Sequence, residues 1–592
     1  MSDNIYRVVW PRGKSQVELG KVAPRGETLK GKRVAEMWDY VFRGNEIFEH
    51  LEEGLRERFP GIEFVNWREF GNIHGNDERA IISTLPEKLK ELRIDAVISG
   101  VGACGSCTPA VIRASAVAER SGVPSASLVA EGFIKQAKTT VVGLGLPDLP
   151  LAVIPGHPGT QTSEQIRGHS AGVILDQVIQ SLTSQPAPSH LTLPHEPDAD
   201  EIVFAGTFEE ANEHFLQNEW SDGLPIVPPT IEKVRAFLRF CDLEPDRVLG
   251  IVLPDSRAAT VWSVAVNGVM AGCRPEYMPI LIAIAEVLCD PDYGVEHSGN
   301  TPGAESLIIL NGPIIKQLKF NFEQGVLRDG FQANTSVGRF LRLFLRNVCG
   351  FLPHKTDKGC YGNTWRVVLP ENEDVLEKLG WQPLSAEMGF EAGDNTVTIG
   401  RYTGGDVMIS VTGDNPSNIM PYLTDAASRL VGWQLCFVIG ATARGMLRPV
   451  MVLPPVVAEA LARSGWTKRE VRQHLFDNAR IPAWRYEKLV RDWSETTPYT
   501  LKELVRMGDA AKMFYESDDP ERLLPVVGDP DDFIILVSGD PLRTNVYYFQ
   551  HNGTCGYPTT KKIRLPHNWE QMIGDAVQPV AKSEKQQRHG AV

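Results

Sequence analysis

Cys104 and Cys107 are separated by two residues in the run Ile94-Asp95-Ala96-Val97-Ile98-Ser99-Gly100-Val101-Gly102-Ala103-Cys104-Gly105-Ser106-Cys107-Thr108-Pro109-Ala110. Thiols at this spacing can close a small disulfide, so one can attack a substrate and the other can resolve the intermediate. The apolar run before them predicts a strand, and Thr108 with Pro109 supplies an N-cap and a first-turn proline for a following helix. Beside a helix N-terminus the dipole and unpaired N–H groups favour a thiolate, lowering a cysteine pKa from about 8.5 by one to several units. The carboxyl end of such a strand is also where open α/β sheets hold ligands. Two plainer readings stand beside this one. A zinc half-site needs a second ligand pair, and no second C-x-x-C exists. Free cysteines in a tight turn can also be small core residues.

Two more candidates follow the next predicted strands and reach the same sheet edge. His157, in Pro155-Gly156-His157-Pro158-Gly159, could act as general acid or base or stabilise a thiolate, and Glu131 opens Glu131-Gly132-Phe133. Three formal matches are weaker. Gly100-x-Gly102-x-x-Gly105 fits a dinucleotide fingerprint, but the predicted helix starts after its third glycine. Gly168-His169-Ser170-Ala171-Gly172 fits a serine-hydrolase elbow without the strand it needs. Gly26 to Lys32 lacks the Ser or Thr of a phosphate loop.

The elements that must position the thiols alternate strand and helix from Lys32 to Thr183. Strands are predicted at Arg33–Met37, Ile62–Trp67, Ala96–Ser99, Ser125–Val129 and Ala152–Ile154. Amphipathic helices are predicted at Asn45–Arg58, Asp77–Leu92, Pro109–Ser121 and Ser163–Ser181. This is the pattern of a doubly wound parallel sheet, flavodoxin-like or Rossmann-like. Residues 1–31 read as an N-terminal extension, and 32–183 as the α/β domain. Residues 184–203 form a Pro-rich linker whose His190 and His195 have no cysteine pair near them. A larger α/β or α+β domain follows over 204–580, and 581–592 is a polar, disordered tail.

In the larger domain, Gly-rich polar loops suggest a ligand mouth, and Arg274, Asn311, Arg339 and Lys358, together with Glu131 of the first domain, are the substrate-binding candidates. Arg339, Arg342 and Arg346 share one helix face suited to an anion. Cys555 sits in another Gly-rich turn, His551 to Gly556.

The 592 residues carry 60 Lys+Arg against 74 Asp+Glu, a net charge of −14 that argues against a phosphate-tracking surface, so no nucleic-acid partner is expected. No apolar run reaches bilayer length and no secretory signal is evident, so no membrane partner is expected and the chain reads as cytoplasmic. Nine cysteines are too few for a disulfide scaffold.

Cys104-Gly105-Ser106-Cys107 resembles the signature of the UGSC family, in which the first position is selenocysteine or cysteine. The run through Pro109-Ala110 and Arg120-Ser121-Gly122-Val123-Pro124 is also similar to the nucleophile region of selenoprotein B in glycine, betaine and proline reductases. The UGSC resemblance covers about Lys32–Thr183 and implies that Cys104 takes the selenocysteine place with Cys107 as partner. Exchange of selenium and sulfur at one position favours redox chemistry. The expectation is a cysteine-dependent oxidoreductase acting on a small organic substrate by thiol/disulfide exchange or reductive cleavage of a carbon–heteroatom bond. No tightly bound cofactor and no metal are expected; an external dithiol, such as a thioredoxin-like protein, would supply electrons. Homo-oligomerisation stays open. The alternatives are a non-redox hydrolase, lyase or transferase using a Cys104 covalent intermediate, and a metal-binding or scaffold protein.

Overall fold

The computed structural model describes residues 4–75, 78–193, 195–363, 366–431, 447–488, 499–508, 510–551 and 556–577. The first unit is built on β2 (Arg33–Trp38), β3 (Glu63–Val65), β4 (Ala96–Gly102), β5 (Ser125–Ala130) and β6 (Leu151–Ile154). All neighbours run parallel in the order β3-β2-β4-β5-β6. Every residue of β4 and β5 is buried, because helices cover both faces of the sheet. On one face α1 (Gly44–Arg58) packs Ile47, Phe48 and Leu51 into a core closed by Leu175, Val178 and Leu182. On the other, α2 (Glu78–Glu91) and α3 (Cys107–Arg120) contribute Leu85, Leu89, Val111 and Ala114, and α4 (Ile134–Gly143) adds Ala137 and Val141. The order reverses between β2 and β4, which opens a crevice at their carboxyl ends.

The expected helix Ser163–Ser181 is broken. It divides into α5 (Ser163–His169), a π-helical turn at Ser170–Ile174 and α6 (Leu175–Thr183), with Gly172 outside helical geometry. Ser170 is therefore buried in a helix-to-helix turn, with no strand before it and no elbow.

The N-terminal extension straps the two units together. Its β1 (Tyr6–Val9) pairs antiparallel with β7 (Ile202–Gly206), which takes up the last two residues of the expected linker, and Val8 and Val9 enter the core of the second unit. Farther along, Arg25 meets Glu119 of α3 at 2.5 Å with both side chains fully buried. The linker is pinned too, by Glu196 against Arg257 at 2.6 Å.

The second unit centres on a seven-stranded mixed sheet. After the antiparallel pair β8 (Val248–Val252) and β9 (Arg257–Thr260) come β10 (Glu305–Asn311), β11 (Val368–Pro370), β12 (Thr396–Met408) and β13 (Val450–Leu453). The short pair β14 (Arg480–Pro482) and β15 (Leu523–Pro525) precedes β16 (Ile534–Val537), β17 (Val546–His551) and β18 (Thr559–Lys562). The large sheet runs β11-β10-β12-β17-β13-β16, with β18 also on β12. β12 is bulged between Tyr402 and Gly404, where it leaves β10 and takes β17 as partner. The helices Met278–Cys289 and Gln332–Phe344 pack on this sheet, and Val261–Met270 packs on both of them in the same large core. No helix among the described residues is long and apolar enough to cross a membrane.

Candidate functional site

The β4-to-α3 turn holds both cysteines. Thr108 closes it, donating from its backbone N–H (3.2 Å) and Oγ1 (2.9 Å) to the Cys104 carbonyl. The helix begins at Cys107, one residue earlier than its expected N-cap, with Ser106 as the flanking residue. This places the Cys107 backbone N–H 3.0 Å from Cys104 Sγ, while Ser106 Oγ lies 3.5 Å from the same sulfur. Cys104 and Cys107 are joined as a disulfide, with a Cα–Cα distance of 5.1 Å. Cys104 is half-buried, whereas Cys107 is only 3% exposed.

Behind the turn lies a buried polar network. His74, fixed in an Asn72-to-Gly75 turn by its N–H to Asn72 Oδ1 (2.9 Å), sets Nε2 3.1 Å from Ser106 Oγ and Nδ1 3.4 Å from Glu78 Oε2. Glu78 opens α2 and accepts two hydrogen bonds from Arg113 of α3, the one from Nε at 3.0 Å. His297, from the second unit, reaches Glu78 Oε2 at 3.6 Å, and its ring lies 5.2 Å from that of His74. Burial favours the neutral acid at Glu78, but Arg113 and the two histidines outweigh it and hold the carboxyl well below its usual range. Burial pushes His297 well below the usual imidazole value. The ligand atoms of His74, Cys104 and Cys107 all lie within 4.8 Å of one another, as do those of His74, Glu78 and His297.

Asp39, just past β2, is tied to the end of β4, its Oδ1 accepting from Val101 N at 2.8 Å. Its Oδ2 has no hydrogen-bond partner among the described residues. Burial pushes its pKa up to about 7. The folded chain thus keeps a proton on Asp39 that the unfolded chain releases at about pH 4, so stability falls as pH rises from 4 to 7. Asp39→Asn, which keeps the oxygen facing Val101, should flatten that slope and be more stable than the native chain above pH 7. The gain should be on the order of a few kcal/mol. Denaturant melts at pH 5 and pH 8 check this; equal shifts at both would overturn it.

The other anticipated residues divide into two groups. His157 donates from Nε2 to the Ala103 carbonyl (3.1 Å) while Nδ1 accepts from Gly159 N (3.1 Å), so it braces the backbone beside Cys104. Glu131 accepts from Gly156 N at 3.2 Å. Lys358 crosses from the second unit, donating to the Gly132 carbonyl at 3.1 Å over the Phe133 ring. These residues gather around the cysteine turn. Arg274 pairs with Glu276, Asn311 donates to Glu371 and Glu373, and Arg339 forks onto Asp222, all within the second unit. Arg342 pairs with Glu305, and Arg346 donates to the Glu219 carbonyl. Cys555 lies outside the described residues.

The second unit also covers the turn directly. Thr301 Oγ1 accepts from Gly105 N (2.7 Å), and Gln136 donates both to the Gly105 carbonyl (2.6 Å) and to the Thr356 carbonyl (3.2 Å). Thr301, His297, His74, Glu78, Arg113 and Asp39 were not foreseen. His74 and Glu78 had one usable signal, a histidine in an Asn/Gly-rich turn four residues before a glutamate at a helix start.

No curated protein and no solved structure matches the chain. The family model of the UGSC family matches residues 7–184, from β1 through α6, with the cysteine turn inside the match. The first unit, Cys104-Gly105-Ser106-Cys107 at the carboxyl edge of its parallel sheet, belongs to the UGSC family.

Proposed function

We propose that the chain is a thiol-dependent oxidoreductase acting on a small organic substrate, with Cys104 as nucleophile and Cys107 as resolving thiol. The observation that supports this is the asymmetry of the pair. Cys104 is partly accessible with a helix N-terminal N–H on its sulfur, and Cys107 is buried behind it. In exchange with a disulfide R–S–S–R′, the Cys104 thiolate attacks one sulfur, the S–S bond breaks and R′–S⁻ leaves. Cys107 then attacks the Cys104 sulfur, R–S⁻ leaves, and the Cys104–Cys107 bond closes. Two electrons pass to the substrate, two protons neutralise the products, and an external dithiol of thioredoxin type returns the electrons. Reductive cleavage of R–X to R–H and HX has the same stoichiometry. Such chemistry belongs in a reducing compartment, the cytoplasm.

In the reduced protein, Cys104 should be alkylated at pH 7 faster than a free cysteine, Cys107 should stay protected, and mild oxidation should protect Cys104. Mass mapping of the modified sites reads all three. Equal, slow labelling of both thiols until the protein unfolds would sink the proposal.

The placement of His74 also suits a second reading, in which it takes the Cys104 proton and a covalent thio-intermediate is hydrolysed or transferred without redox change. Cys107→Ser separates the two: turnover collapses in the first, and persists without reductant consumption in the second.

A further inference from the structure

We infer that the reduced chain binds one thiophilic divalent cation, zinc in type, through Cys104 Sγ, Cys107 Sγ and His74 Nε2. These donors come from a strand-to-helix turn and a separate loop, and their ligand atoms lie within 4.8 Å of one another. Two thiolates and one imidazole are a recurrent zinc donor set, and they leave a fourth position for water or substrate. Of the three donors Cys104 is the one that is only half-buried; Cys107 and His74 are buried.

The surroundings of His74 match what such a ligand needs. Its Nδ1 faces the Glu78 carboxylate at 3.4 Å, and Arg113 holds Glu78 from the other side. A metal-bound histidine commonly gives its second N–H to a carboxylate in this way, which fixes the ring and its tautomer. Two thiolates also balance a dication, so the ion adds no net charge to the buried turn. The neighbouring set of His74, Glu78 and His297 is a poorer host, because the Arg113 guanidinium already occupies Glu78 and repels a cation there.

Metal and disulfide use the same two sulfurs, so they exclude each other. A low-molecular-weight disulfide R–S–S–R would take two electrons from the bound thiolates and two protons from water, giving the Cys104–Cys107 bond, two R–SH and the free ion. Binding does not depend on whether the thiols turn over a substrate, so its failure leaves the catalytic proposal standing.

The test is titration of the full-length protein with Co(II), reduced with a phosphine and carrying Cys360→Ser to remove an exposed thiol. The expected result is about one equivalent bound, with near-ultraviolet thiolate-to-cobalt absorption and tetrahedral d–d bands, both lost on oxidation of the pair. Glu78→Gln should weaken binding by roughly tenfold to a hundredfold, the usual cost of a lost outer partner. His74→Gln should weaken it further. The comparison of reduced and oxidised wild-type pair needs no buried substitution, so a variant that fails to fold does not decide the matter. Absence of binding by the reduced protein would overturn the site. So would binding without thiolate bands, or binding that survives oxidation, either of which points to His74, Glu78 and His297.

Discussion

Gly105→Ala should loosen the second unit from the cysteine turn and unmask the thiols. A Cβ on Gly105 would stand well inside van der Waals contact of the Gly299 carbonyl oxygen, and 3.0 Å from both Thr301 N and Lys358 Cβ. Two of these three atoms are backbone, so no side-chain rotation relieves the clash. The Gly105 N–H to Thr301 bond would go with it. Overpacking costs about 1–3 kcal/mol, and a lost hydrogen bond adds on the order of 1 kcal/mol. The expected result is a destabilisation of about 2–4 kcal/mol in denaturant melts, together with faster alkylation of Cys107 in the reduced protein. Gly132→Ala, whose Cβ would meet nothing within 4 Å, is the control and should change neither. If Gly105→Ala melts like the native chain and Cys107 stays protected, the second unit does not cover the turn.

The same glycine marks where local reading of the sequence stops. Gly105 reads there as the third glycine of a weak dinucleotide fingerprint, or as a turn residue. Its lack of a side chain is needed because the backbone near Gly299 passes over it, a contact nearly two hundred residues away in sequence. Gly100 and Gly102 likewise lie within β4, against Leu128 and Thr108, and not in a phosphate-binding loop. The strands of the first unit were legible because a parallel sheet covered on both faces writes itself as uninterrupted apolar runs such as Ala96 to Ser99 and Ser125 to Val129. The thiols were legible because their spacing is itself the chemistry. The acid–base partners were not. His74 is thirty residues before Cys104, His297 lies in another unit, and periodicity records which face a residue takes, not which distant residue meets it. β1 escaped notice for the same reason, since its partner β7 begins at the far end of the linker.

Glu78→Ala should be the most damaging single change behind the thiols. Glu78 and Arg113 are a buried pair, their side chains 10% and 12% exposed, and removing the carboxylate leaves a guanidinium without the counter-charge it is hydrogen-bonded to. Breaking one half of such a pair costs about 3–5 kcal/mol, which denaturant melts would read directly. A loss below about 1 kcal/mol would mean that water already reaches the pair, as at an exposed salt bridge. Replacing both residues by apolar ones, Glu78→Leu with Arg113→Met, should recover most of that stability, because the desolvation cost of both charges disappears together. It should not restore His74. Without a carboxylate at Nδ1 the ring loses the partner that sets its tautomer and aims Nε2 at Ser106, whose hydroxyl lies beside the Cys104 sulfur. The stable double variant should therefore still show a changed pH dependence of Cys104 alkylation. Recovery of the native profile along with stability would make Glu78 a packing residue and remove His74 from the chemistry of the thiols.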